Sequence, residues 1–96
     1  MISLTGLLWL WSGEGGSWHF FTVPDGQADA IRAHRFAGPK RGFGSVRVEA
    51  RIGGIAWRTS LFPQRSGGFI LPVKAEVRRQ AGIAAGDQIE VELELL

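Results

Sequence analysis

The side chains able to move protons or hold metals are few in this 96-residue chain. Its two histidines, His19 and His34, fall on different expected elements, and no HxxxH spacing gathers them around a metal. His19 stands between Trp18 and Phe20, where a hydrogen-bonded, partly buried ring is the ordinary reading. Asp25 and Asp29 are four apart just after Pro24, which suits a helix start and its dipole better than paired acid–base work. Thr59-Ser60 offers hydroxyls without a nucleophile elbow or a partnered base. Gly42-Phe43-Gly44-Ser45 follows Lys40-Arg41, and its backbone N–H groups could cradle a phosphate. It fits neither the P-loop nor the dinucleotide pattern and leads into a strand, so a loop entering a hairpin is the simpler reading. There is no cysteine, which excludes thiol catalysis, thiolate metal sites and disulfides and is compatible with a reducing cytoplasm. An enzyme would need a pocket joining His19 or Ser60 to a carboxylate. The expectation is therefore no catalytic residue, no metal and no cofactor.

Positive charge is the remaining chemistry. The formal net charge is only +2, yet from Ala30 to Arg65 eight Lys and Arg residues stand against Glu49 alone. The candidate binding residues are the basic loop Lys40 and Arg41 with Arg47, Arg51, Arg58 and Arg65, and a second patch of Lys74, Arg78 and Arg79. Such a zone favours an anionic partner or DNA. A mixed, solvated surface is the plain alternative, because Glu49 sits among the arginines. No basic-aromatic RNA-recognition motif is present.

The elements that must position these groups follow from the hydrophobic pattern. Val46, Val48, Ala50 and Ile52 alternate with Arg47, Glu49 and Arg51. Gly53-Gly54 is a two-residue turn, and Ile55, Trp57, Thr59 and Leu61 continue the inward face. That turn sets Ile52 opposite Ile55, Ala50 opposite Trp57 and Glu49 opposite Arg58, with apolar pairs inside and an ion pair outside. Upstream, Ile2–Trp11 and Trp18–Val23 form a second hairpin around a glycine-rich loop. The apolar run Leu7-Leu8-Trp9-Leu10-Trp11 reads as a strand covered on both faces. Pro24 opens a helix over about Gln27 to His34 that turns Ala28 and Ile31 to the core. Further on come a strand over Phe69–Val73, a helix over Lys74–Ala81 burying Val77 and Ala81, and Gly82 as its stop. Gly86-Asp87 turns the chain into a last strand, with Ile89, Val91, Leu93 and Leu95 alternating with glutamates.

Strand, proline, helix, glycine and strand thus occur twice. Neither half can bury its own faces, so two halves would complete one closed sheet. The expected fold is mainly β with two short helices, a small double-split β-barrel built as one domain over residues 1–96. The opening Met1–Trp11 lacks a basic n-region and a cleavage site and is too short to span a bilayer, so a cytoplasmic protein with no membrane partner is expected.

Three stretches carry a family resemblance. GEGGSWHFFTVP, RGFGSVRVEARIGGIAWRTSLFP and GGFILPVKAEVRRQAGIAAGDQIEVELE resemble a bacterial family of domains of unknown function, DUF1905. The resemblance covers almost the whole chain. It implies a double-split β-barrel akin in shape to AbrB/MazE-type transition regulators and antitoxins, with members standing alone or beside a domain associated with bacteriocin resistance. It implies no catalytic residue or cofactor. In AbrB-type proteins two chains supply the two halves, whereas here one chain supplies both, giving a monomer or weak homodimer. The two-fold geometry that reads paired DNA half-sites is then not required. The sequence stops with its last strand, so no toxin-wrapping tail of the MazE kind is expected. The function expected is a non-enzymatic binding or interaction module, with an AbrB-like DNA-binding protein as the alternative.

Overall fold

A computed structural model describes residues 1–37 and 44–96. Six strands and two helices follow in the order β1 (Ile2–Gly13), β2 (Gly16–Thr22), α1 (Asp25–Ala37), β3 (Val46–Ile52), β4 (Ile55–Pro63), β5 (Phe69–Pro72), α2 (Ala75–Ala81) and β6 (Gln88–Leu95). The strands close into an antiparallel barrel in the order β1-β2-β5-β4-β3-β6, with β6 returning to β1. Two strands are shared between sheets. The first half of β1 pairs with β6 and its second half with β2; most of β4 pairs with β3 and its end with β5. This sharing makes the barrel double-split.

The two halves are β1-β2-α1-β3 and β4-β5-α2-β6, and they interlock reciprocally. Val23 N donates to Phe69 O at 2.9 Å, and Val73 N donates to His19 O at 2.9 Å. Each bond joins the residue that follows one half's strand to the facing strand of the other half, at the first residue of β5 and in the middle of β2. The expected repeat is therefore a structural one, built around the β2–β5 contact of Phe21 with Leu71.

Alternation decides what enters the core. Val46, Val48, Ala50 and Ile52 of β3 are buried, as are Trp57 and Leu61 of β4 and Ile89, Val91 and Leu93 of β6. The β3–β4 register is the expected one, with Ile52 opposite Ile55, Ala50 opposite Trp57 and Glu49 opposite Arg58. α1 buries Ala28 and Ile31 and α2 buries Val77, with Ala81 packed partly against the core. Gly82 ends α2 at φ 67° and ψ 36°, a left-handed conformation in which a Cβ is costly. The Gly86-Asp87 turn is pinned to β1, since Gly86 N donates to Leu8 O and Leu8 N to Asp87 O.

Two expectations need correction. α1 starts at Asp25 and runs to Ala37, longer than the expected Gln27–His34, because the Pro24 carbonyl already accepts from Gln27 N and Ala28 N. The apolar run of β1 is not covered on both faces. Leu8 is buried, but Leu7, Leu10 and Trp11 are exposed. A six-stranded barrel takes only alternate residues inward, and no element among the described residues crosses the outside of β1 and β2.

Candidate anion-binding cleft

β5 is four residues long, and its last residue, Pro72, pairs with Phe20 of β2. Its neighbours on either side run on past that point. Where β5 leaves the sheet for α2, a notch opens between Ser17–His19 of β2 and Trp57–Thr59 of β4. It has a volume of about 350 Å³, within the roughly 300–1,000 Å³ typical of ligand clefts. Trp18, Trp57, Pro72 and Val73 supply apolar wall, and Arg58, Lys74, Arg78, His19 and Thr59 supply polar groups. Among the described residues no carboxylate lines it. The corresponding notch of the other half, where β2 gives way to α1, is bridged: Arg32 of α1 pairs with Asp29 at 2.5 Å and also donates to Gly67 O.

Arg78 is oriented by two contacts. Its Nε donates to Val73 O at 3.2 Å, and its Nη1 meets His19 Nε2 at 3.3 Å. A guanidinium only donates, so His19 Nε2 must be the unprotonated, accepting nitrogen. Burial and then the positive charge of Arg78 hold the His19 pKa below its ordinary value. His19 is thus a neutral bracket for a cation. With Nε2 occupied by a donor, it is not placed to take a proton from a hydroxyl.

The nine basic candidates separate into groups. Lys40 and Arg41 lie outside the described residues, as do Gly42 and Phe43 of the glycine-rich loop. Arg47, Arg51 and Arg58 all lie on the outside of the β3–β4 hairpin, with different neighbours. Arg47 Nη1 donates to Ser60 Oγ at 3.3 Å. Arg51 binds Glu49 at 2.7 Å, and β6 sets Glu92 opposite Arg51 and Glu94 opposite Glu49. Arg51 and Arg58 hold the Glu49 carboxyl below its usual range, the Arg51 hydrogen bond most of all. Arg58 touches Glu49 more loosely, at 3.7 Å, and reaches the cleft. Arg65 is exposed in the β4–β5 loop and Arg79 is exposed on α2. Arg58, Lys74 and Arg78 are the three that one site brings together. Among the described residues Lys74 makes no ion pair or side-chain hydrogen bond.

The remaining chemistry-bearing side chains stay apart. His34 Nε2 lies 3.2 Å from Leu96 O, Ser60 accepts from Arg47, and Asp29 serves Arg32. Among the described residues no three His, Asp or Glu side chains gather as metal ligands. No helix of the described residues is long and apolar enough to cross a membrane.

The search of curated proteins returned no match to the chain. The sequence profile of DUF1905, a domain of unknown function, matches residues 5–93. That span holds both helices, four whole strands and most of β1 and β6, and the chain belongs to this family.

Proposed function

We propose that this domain is a non-enzymatic binding module whose β5-end cleft receives an anionic group of its partner. One observation carries the reading: Arg58, Lys74 and Arg78 meet at a cleft without a lining carboxylate, and Arg78 is pre-set by Val73 O and His19. Guanidinium and ammonium donors held in a partly apolar cleft are suited to phosphate or carboxylate oxygens. The polar set supports holding rather than turnover. His19 faces a guanidinium, and Ser60 is engaged by Arg47.

The AbrB-like duplex-reading alternative relies on the outward arginines of β3 and β4. Glu49, Glu92 and Glu94 stand alongside them, which opposes a phosphate backbone on that face. The cleft is the better supported anion site.

Linear inorganic polyphosphate tests this reading, followed by calorimetry over a salt series. Three contacts at about 0.7 each give a log–log salt slope near −2, and Arg78→Met lowers its magnitude by about 0.7. Binding insensitive to both Lys74→Ala and Arg78→Met, or no binding at low salt, removes the cleft from consideration.

A further inference from the structure

The outside of β1, β2 and β5 carries a second feature that shares a wall with the cleft. Trp9, Trp11, Trp18, Phe20 and Ile70, with Gln64 at the rim, line an apolar groove. Trp9 lies opposite Phe20 and Trp11 opposite Trp18 across the β1–β2 ladder, so four aromatic rings form two rungs. Trp11 is 45% and Trp18 57% exposed, which leaves ring surface open to solvent. The rings are held in place. Trp9 and Phe20 pack tilted at 45° with centroids 5.3 Å apart, and Trp9 Nε1 donates to Thr22 Oγ1 at 2.9 Å. Trp11 lies over Gly13, where an added Cβ would stand 2.6 Å from its ring. Trp18 borders both this groove and the cleft holding Arg58, Lys74 and Arg78.

We infer that the aromatic groove and the basic cleft form one site for single-stranded nucleic acid, bases on the Trp11–Trp18 rung and phosphates in the cleft. This rests on the cleft being an anion site, and it adds the class of ligand. Two observations select that class. Exposed π-faces beside three clustered cations, of which, among the described residues, Arg58 alone meets a carboxylate, Glu49 at 3.7 Å, match the two repeating parts of a nucleotide strand, whose bases stack on aromatics without sequence preference. Among the described residues no carboxylate lines the groove or the cleft, so the lining charge is complementary along the whole path.

Fluorescence anisotropy with a labelled oligothymidylate, an abasic deoxyribose-phosphate strand of the same length and the matching duplex tests the assignment. The oligothymidylate binds about tenfold or more tighter than the abasic strand. Trp18→Ala and Trp11→Ala each remove most of that difference, Trp18→Phe restores it, and the duplex, its bases already stacked, binds no better than the abasic strand. Gly13→Ala, which moves the Trp11 ring without removing it, weakens the oligothymidylate alone. Circular dichroism melts confirm that each variant folds. Equal binding of the two single strands, unmoved by the tryptophan variants, overturns the stacking site and leaves the anion cleft standing. No binding of either strand at low salt overturns both. A tryptophan-dependent complex with an acidic peptide, where oligothymidylate fails to bind, also overturns the assignment and gives the face to a protein partner.

Discussion

Phe21 and Trp18 are large aromatics three residues apart on β2, and they are predicted to behave oppositely. Phe21 is fully buried, stands opposite Leu8 of β1 and Leu71 of β5 on the two neighbouring strands, and lies so close to Gly6 that a Cβ there would stand 3.2 Å from its ring. It sits where the two halves meet, so the cavity left by Phe21→Ala is bounded by both halves. Phe→Ala in a packed core costs roughly 3–5 kcal/mol, a large share of the roughly 5–15 kcal/mol that hold a domain folded. With a urea m-value of roughly 1–3 kcal/mol per molar, the unfolding midpoint falls by about 2 M. Trp18→Ala removes a side chain that is already mostly solvated, and its cost stays below about 1 kcal/mol. Urea titrations followed by far-UV circular dichroism measure both. Phe21→Ala keeps a single transition with an unchanged m-value, because the halves share one core. A loss under about 1 kcal/mol, or a split into two transitions, would refute the shared core.

Further outcomes follow from local chemistry. Gly82→Ala forces a Cβ into the left-handed stop of α2 and lowers stability by about 1–2 kcal/mol in the same assay. Folding depresses the His19 pKa, so the neutral ring contributes stability above the ordinary imidazole range, and that contribution is lost as pH falls through the depressed value. The protonated ring adds a cation beside Arg78, Lys74 and Arg58, so polyphosphate binds more tightly over the same fall in pH, and His19→Gln removes both trends. Glu49→Gln frees Arg51 and Arg58 from their carboxylate. Polyphosphate affinity then rises modestly through Arg58, and the acid sensitivity contributed by the depressed Glu49 carboxyl disappears from melts taken below its usual range.

Much of the architecture was written locally. The Gly53-Gly54 turn and strict alternation fix the β3–β4 register, and Gly82 and Gly86-Asp87 mark the end of α2 and the way into β6. The closed barrel followed from the repeated strand–proline–helix–strand order. The exposed face of β1 did not, because Leu7-Leu8-Trp9-Leu10-Trp11 has the composition of a strand buried on both sides. Composition does not say whether anything lies over it. The cleft was hidden for a different reason. His19 and Arg78 are 59 residues apart and meet only because β5 is too short to keep β2 and β4 joined. Arg47, Arg51 and Arg58 look equivalent in sequence, all outward on one hairpin. Their surroundings separate them: Ser60 across the ladder for Arg47, Glu49 on the same strand and Glu92 across the ladder for Arg51, and a loose contact with Glu49 beside the open cleft for Arg58. Trp18 was legible as a strand aromatic, but its exposure and its place between two grooves depend on β5 ending beside it.

The most direct measurement of the cleft is a nitrogen-15 NMR titration of the intact domain with linear polyphosphate at low salt. The account predicts that the largest shifts fall on the Thr59, Lys74 and Arg78 amides and on the Trp18 indole, with the Arg47, Arg51 and Glu92 amides unmoved. Shifts centred on the β3–β6 outer face, or spectra that do not change, would contradict it.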